Sequence, residues 1–562
     1  ASQAYGLSFT PGTWVESIQI TKGAGSVVNG YESISGQINT ELIKPINDIP
    51  FFLNAYGSTD SRFELNTHFN TQLSQKWSSS LFVHGNTRVS KMDQNNDGFM
   101  DNPLAKQINV MNRYQYYDAE KGLVSFINFR YMNDKKQSGE VDFDPDRDRG
   151  ATNRWGSEIN TQRLDLATKV GYVFKDMPFQ SIGFQNAFTL HNQNSYYGLN
   201  VYDIKQNSFY SNLIFNSIIN NTKHKFATGI NFAYDNYNEF VGLTDYGRVD
   251  NSVGAFFEYT YDNDDNFSLV LGGRVDNHNR LGTFVTPRLH LRYNPWEKSV
   301  LRFSAGRGKR AANIFAENQS LFASSRTFSI LDTDGKIYGL NPEIAWNYGL
   351  SFNQKFQLFG RNGDAGFDLY RTDFQNQAVV DVMQSPQQVL FYNLKGKSYA
   401  TSLQIEFNYE LANRFSLRSA YKYYDIQTQY LSGVYQRPLQ AKHRFFGNLE
   451  YETGRSESGS QWRFDATYNW LGKQQLPVTA SNPAQDRLPE FSPSYNLINA
   501  QVTHVFSSNF EIYVGGENIG NYKQSKAILG AETPFGPTFD ASIVYAPIFG
   551  QMYYAGLRFK IK

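Results

Sequence analysis

The sequence predicts an all-β fold: a 22-stranded antiparallel transmembrane β-barrel, preceded by a distinct N-terminal segment. Three observations lead there. Apolar and polar residues alternate along most of the chain, short and long connections take turns, and the composition is rich in rings yet low in hydropathy. Of 562 residues, 40% are hydrophobic and 16% aromatic, with 37 Tyr and 45 Phe, while the mean hydropathy is -0.52. A membrane strand needs only about 9–11 residues, and only every second one faces lipid. A barrel can therefore be apolar outside and still average polar.

The same numbers exclude other classes. No stretch approaches the ~20 consecutive apolar residues of a helical span. The charges, 53 Lys+Arg against 52 Asp+Glu, give a net +1 and no basic excess for nucleic acid. With no Cys there is no disulfide, thiolate nucleophile or Cys metal site. No HExxH, GxSxG or phosphate-binding loop follows a strand into a helix, so neither enzyme activity nor a required cofactor is expected. Ala1 opens a polar stretch without a secretory signal, so the expectation is a removed leader or a fragment.

Between Arg62 and Leu73 one register reads Phe63, Leu65, Thr67, Phe69, Thr71, Leu73, and the other Arg62, Glu64, Asn66, His68, Asn70, Gln72. Successive side chains point to opposite faces, so one face is greasy and one wet. The pattern recurs at 398–410 and at the C-terminus, where Phe559 and Ile561 alternate with Lys560 and Lys562. Strands are predicted at 51–59, 62–73, 78–90, 107–118, 123–133, 161–174, 179–193, 209–219, 224–238, 252–262 and 267–279. They continue at 284–294, 299–308, 345–358, 365–379, 390–410, 415–428, 439–453, 461–472, 495–506, 510–519 and 551–562. The total is even, as bacterial single-chain outer-membrane barrels require.

Connections such as 74–77, 119–122, 220–223, 263–266, 410–414 and 507–509 read as short turns. Those at 91–106, 134–160, 309–344, 473–494 and 520–550 read as long loops. Short turns at one end and long loops at the other mark a transmembrane barrel. Rings near strand ends, among them Tyr114, Tyr116, Tyr117, Tyr421, Tyr468 and Trp470, suit the two membrane interfaces. A soluble propeller or solenoid is the competing reading, but no repeat of fixed period is visible.

Residues 1–48 differ from 49–562: they are Gly-rich and precede the first barrel-like strand. Val15, Ile18 and Ile20 suggest a short strand, and Gly23, Gly25, Gly30 and Gly36 suggest turns or close backbone approach. The run VESIQITKGAGSVVNGYESISGQIN resembles the C-terminal part of the plug of TonB-dependent outer-membrane receptors. The pattern falls on Val15, Glu16 and Ile18, then Lys22-Gly23, Ser26, Gly30 and Gly36-Ile38-Asn39, with Ser35 where a Gly is usual. GLNPEIAWNYGLSF, GRGKRAANIFAEN, YVGGENIGN and YYAGLRFKIK are similar to barrel stretches of that family.

The resemblance implies TonB-dependent active import of a scarce small solute across the outer membrane of a Gram-negative bacterium. The implied partners are TonB with ExbB and ExbD, outer-membrane lipid and lipopolysaccharide, and a small-molecule metal complex. The first half of the plug would precede residue 1, or be a separate chain. A ferric siderophore or other metal complex is the expected cargo. Copper or zinc, haem, cobalamin, an oligosaccharide or a peptide remain open, as does a passive porin or structural barrel.

Three sets of residues carry candidate chemistry. Asp93, Asn95, Asp97, Phe99 (through its carbonyl) and Asp101 stand at positions one, three, five, seven and nine of a calcium loop, with Gly98 at six. Position twelve is Leu104, so the alternative is an Asx-rich turn. Arg310, Asn313, Phe315 and Arg326 in one long loop, Arg154 and Trp155 in another, and Tyr31 in the N-terminal segment are candidates to grip an anionic, ring-bearing chelate. The alternative there is a solvated loop. Finally, His68 and the lumenal charges Arg62, Glu64, Arg130, Arg288, Arg292 and Glu406 are expected to hold the plug.

Overall fold

A computed structural model describes residues 6–562; Ala1–Tyr5 of the N-terminal segment lie outside the described residues. The strands form one closed antiparallel barrel of 22 members. Met552–Ile561 closes it against Phe51–Ser58, with Tyr554 opposite Ser58 and Ile561 opposite Phe51. Two rim pieces, Thr244–Asp245 and Gly433–Gln436, fold back on neighbouring strand ends. Closure is what lipid demands, because an unpaired strand edge would leave N–H and C=O groups without partners.

Each predicted strand has its counterpart, and the faces fall as the alternation requires. On Arg62–Gln72, Phe63, Leu65 and Phe69 are about half exposed on the outside, whereas Asn66 and His68 are buried inside. Three expectations change. Strands Leu123–Gly139 and Gly156–Val173 stay paired to their last residues, so the loop expected at 134–160 shrinks to 140–155. Strands of 17 to 21 residues between 123 and 241 are longer than the ~9–11 that a membrane strand needs.

The strand expected at 390–410 is two elements. Gln388–Asn393 pairs in parallel with Thr327–Ile330 and antiparallel with Ala378–Asp381, and Ser398–Ala412 alone joins the barrel. The buried Leu390, Phe391 and Tyr392 belong to a cap outside the barrel, and alternation cannot distinguish one apolar face from another. The long connections all lie at one end, but that end also has tight ones at 59–61, 198–199 and 279–281.

The N-terminal segment lies against the inner wall. Val15–Lys22 and Gly36–Leu42 form an antiparallel hairpin, Ile20 opposite Ile38. Between them, 23–35 is pressed onto glycines of the wall. A Cβ on Gly306 would sit 2.6 Å from Ala24 Cβ, and one on Gly272 would sit 2.9 Å from Val27. Gly23 itself has φ +78° and nests against Asn347, Ser304 and Tyr370. The seam closes because wall and segment are both small there.

Gly306→Val should therefore lift the 23–28 strap off the wall at a local cost of about 1–3 kcal/mol. Protease nicking of the N-terminal segment should rise while the barrel's resistance to heat in detergent is unchanged.

Candidate functional site

Polar anchors hold the segment at both ends of the seam. Lys22 pairs with Asp368 and lies 3.8 Å from Glu406. Ser26 Oγ donates to Glu258 at 2.7 Å and accepts from Val28 N at 3.2 Å, capping the short turn Val27–Asn29. Arg274, fully buried, donates to the Val27 carbonyl at 2.7 Å while its other nitrogens hold Asp276 and Asn231. Glu16 pairs with Lys44 at 3.3 Å, Asn39 donates to Gln19 at 3.3 Å, and Gly30 (φ +115°) turns the loop. Gly36 passes so close to the Thr21 carbonyl that a Cβ would sit 2.9 Å from it.

The lumenal residues divide. His68 meets Asp48 of the segment at 2.8 Å between Phe52 and Phe82, and Glu406 reaches Lys22. Arg130 lies 5.8 Å from the ring of Trp14. Arg62 and Glu64, by contrast, pair with each other. Arg288 and Ala24 both lie against Gly306, but Arg288 makes no ion pair, and Arg292 makes none either, among the described residues.

Over the outer mouth the loops condense into a cap with its own apolar core. Phe315, 1% exposed, has the rings of Tyr246, Tyr338 and Phe391 within 5.6 Å. Trp155 packs on Phe539 at 5.0 Å and Phe99 at 6.1 Å, joining three separate loops. Arg326, 3% exposed, donates to Asp540 at 2.9 Å and to the Ser385 carbonyl at 3.0 Å. Arg310 forms a bidentate pair with Glu317 and reaches Glu343 at 2.6 Å. Arg154 is half exposed and pairs with Glu140 at 3.0 Å. Tyr31 is buried under the cap, edge-on to Phe284 at 5.1 Å.

Asn313 accepts from Arg248, whose guanidinium also holds Glu239 and Asp250, each at 3.1 Å, and the Tyr338 hydroxyl at 2.6 Å. Sequence reasoning missed this knot. Arg248 and Asp250 alternate like any wet strand face, and Asn313 and Tyr338 reach them only through the long loop.

The acidic loop folds like the start of a cation loop. Asp93 accepts from the N–H groups of Asp97 and Gly98, at 3.2 and 2.9 Å, and Asn95 and Asp97 close further turns. Asp101 accepts from Gln94 N at 2.7 Å, and its second oxygen is buried without a partner. Burial, with Asp93 and Asp97 nearby, pushes the Asp101 carboxyl up to about 6, and burial also raises Asp97. No group of three or more His, Cys, Asp or Glu among the described residues is arranged to hold a metal.

A family profile described as "TonB dependent receptor-like, beta-barrel" matches residues 94–519. The chain belongs to the TonB-dependent receptor family. Solved structures share the fold of this TonB-dependent receptor at low identity. A single-substitution mutant of the ferric enterobactin receptor PfeA of Pseudomonas aeruginosa is 12% identical at a TM-score of 0.73, covering 98% of this chain and 86% of its own. The siderophore receptor PirA of Acinetobacter baumannii is 13% identical at 0.72, with coverages of 98% and 86%. The FpvAI–pyocin S2 complex gives 12% at 0.72, with coverages of 97% and 74%. A comparison with curated proteins gives no match.

Two outcomes test this geometry. Arg326→Ala leaves Asp540 buried and unpaired, which should cost about 3–5 kcal/mol of cap stability. Hydrogen exchange at 311–342 and 518–551 should accelerate while the barrel strands stay protected. For Asp101 the folded pKa lies above the unfolded value, so its contribution is full below about 4 and lost as pH rises through about 6. Exchange protection of 89–103 should fall over that window, and Asp101→Asn should remove the dependence.

Proposed function

We propose that this receptor actively imports a scarce small solute, a ferric siderophore or another metal complex, across the outer membrane of a Gram-negative bacterium. The observation that carries the reading is a family barrel whose lumen is occupied by a segment held through a few breakable polar contacts. Residues 6–48 act as the last part of a plug. The outward isoleucines of its hairpin, Ile18, Ile20 and Ile38, are each at least 60% exposed and offer a face on which more of the plug packs.

The mechanism follows from what holds the seam. The strap is tied by an ion pair at Lys22, the Ser26 hydroxyl, and the Val27 and Val28 carbonyls on Arg274 and Asn212, while the apolar anchor of the segment, Trp14 against Phe82 and Met111, lies upstream of it. Such contacts break one at a time under a pull from the periplasmic side. The barrel has no energy source of its own, so TonB, driven by ExbB and ExbD, supplies that pull. The cap, with Arg248 tying Asn313 and Tyr338 to the rim, excludes bulk solution from the outer mouth until the solute arrives. Similarity to siderophore receptors supports the cargo class, and the oxygen-rich loop at 93–101 is held by its own N–H groups as an Asx-rich turn.

The test is uptake of radiolabelled ferric enterobactin, and of a panel of other ferric chelates, in cells lacking their own siderophore receptors. Expression of the full receptor should confer accumulation of at least one chelate, and deletion of TonB should abolish it. Accumulation that persists without TonB would refute active import and leave a passive pore.

A further inference from the structure

One ladder of the wall stops halfway. Gly282–Tyr293 and Ser299–Arg310 pair only from Arg288 opposite Gly306 to Tyr293 opposite Leu301. Toward the outer mouth, Gly282–Pro287 pairs with the preceding strand and Arg307–Arg310 with the following one, with no ladder between the two among the described residues. The proline sets the limit. The Val285 carbonyl accepts from Arg307 across the split, and backbone groups two residues apart on a strand point the same way. Position 287 would therefore donate across it, and proline has no N–H. Two side chains stitch the open half instead. Arg307 Nη1 reaches the Val285 carbonyl at 3.5 Å, and Lys309 Nζ reaches the Leu281 carbonyl at 2.9 Å.

Both residues stand on the lipid side of their strand, because Ser304, Gly306 and Gly308 take the positions against Gly23, Ala24 and Ile34 of the lumenal segment. Neither makes an ion pair among the described residues. Asp373, in the same row through Trp346, is already paired with Arg371. The lipid face turns polar just beyond them. Asn277 donates to Thr283 there at 2.7 Å, and Arg307 Nε donates to Gln375 at 3.3 Å. Directly below the two cations lies a groove of about 620 Å³. Its floor is small, Gly273, Pro287 and Ala305, and Phe257, Leu271 and Trp346 flank it. A Cβ on Gly273 would meet nothing within 4 Å. The groove lies outside the wall, away from the lumen and the segment in it.

We propose that this half-open seam binds a phosphate-bearing glycolipid of the outer leaflet, of the lipid A kind. Its acyl chains fill the groove, and a phosphate meets Arg307 and Lys309. The basic pair at the upper end of an apolar slot lacks the counter-charge that such a head group brings. Each cation has donors beyond those engaged with carbonyls, and the planar guanidinium fork matches phosphate oxygens. Depth selects the leaflet: both cations sit near the strand end that leads into the long loop 311–342. The lipid then ties two wall strands together where the ladder between them is missing. The site stands whatever the receptor imports.

The test is native mass spectrometry of the full receptor, delipidated in mild detergent and titrated with diphosphorylated hexa-acyl lipid A. One copy should stay bound per barrel. Removing both phosphates from the lipid should weaken binding about tenfold, and so should Arg307→Gln with Lys309→Gln. Gly273→Leu, which fills the floor and leaves both cations in place, should weaken it as well, and it decides alone if the Gln pair does not assemble. Dioleoyl phosphatidylglycerol should bind more weakly than lipid A. Lipid A should also slow hydrogen exchange at 282–287 and 307–310 in the unaltered protein, and not in Gly273→Leu. Unchanged affinity in the variants, indifference to the phosphates, phosphatidylglycerol bound as tightly, exchange unaltered by lipid A, or no lipid A retained would each overturn the site.

Discussion

Everything in this molecule follows from one constraint: a sheet in lipid has to close. Tyr554–Ile561 pairs with the whole of Phe51–Ser58, so the last strand finds its partner in the first and no edge is left. A ring of 22 strands then encloses more space than its own side chains fill. The chain deals with that space in two ways. Its N-terminal segment is laid along the inner wall, and its long loops fold over the outer mouth.

These two closures use different chemistry. The cap is an apolar core tied by buried charge, with Phe315, Trp155 and Phe539 packed inside it and Arg326 and Arg248 bracing it. The seam is polar and shallow: glycine against alanine and valine, with Lys22, Ser26 and Arg274 as anchors. A polar, shallow contact can part without unfolding either partner. The seam is therefore the element suited to move, and the barrel strands, bonded through their backbones, are the frame.

Much of the architecture was legible in the sequence. Alternation is a direct record of a two-faced strand, so the register of Arg62–Gln72 was readable residue by residue. The Gly-rich run at 23–36 marked the seam for the same kind of reason, since close approach permits few side chains. Alternation failed where a second apolar environment existed. Val389, Leu390, Phe391 and Tyr392 run apolar without a break, unlike the alternating strand that follows, and all four are buried in the cap instead of facing lipid.

The site was legible in residue type more than in role. Arg326, Phe315 and Trp155 were singled out for chemistry suited to a ligand, and the structure places them inside the cap. Arg248 and Arg307 were not singled out, because what distinguishes them is a partner, or the lack of one, set by topology. The central claim is that the strap must leave the wall for solute to pass. It is tested most directly by tying the two together with Ser26→Cys and Glu258→Cys in this cysteine-free chain. Uptake of the accumulated chelate should stop when the pair is oxidised and return on reduction, with adsorption at the cell surface unchanged. Undiminished uptake through the oxidised protein would contradict the account.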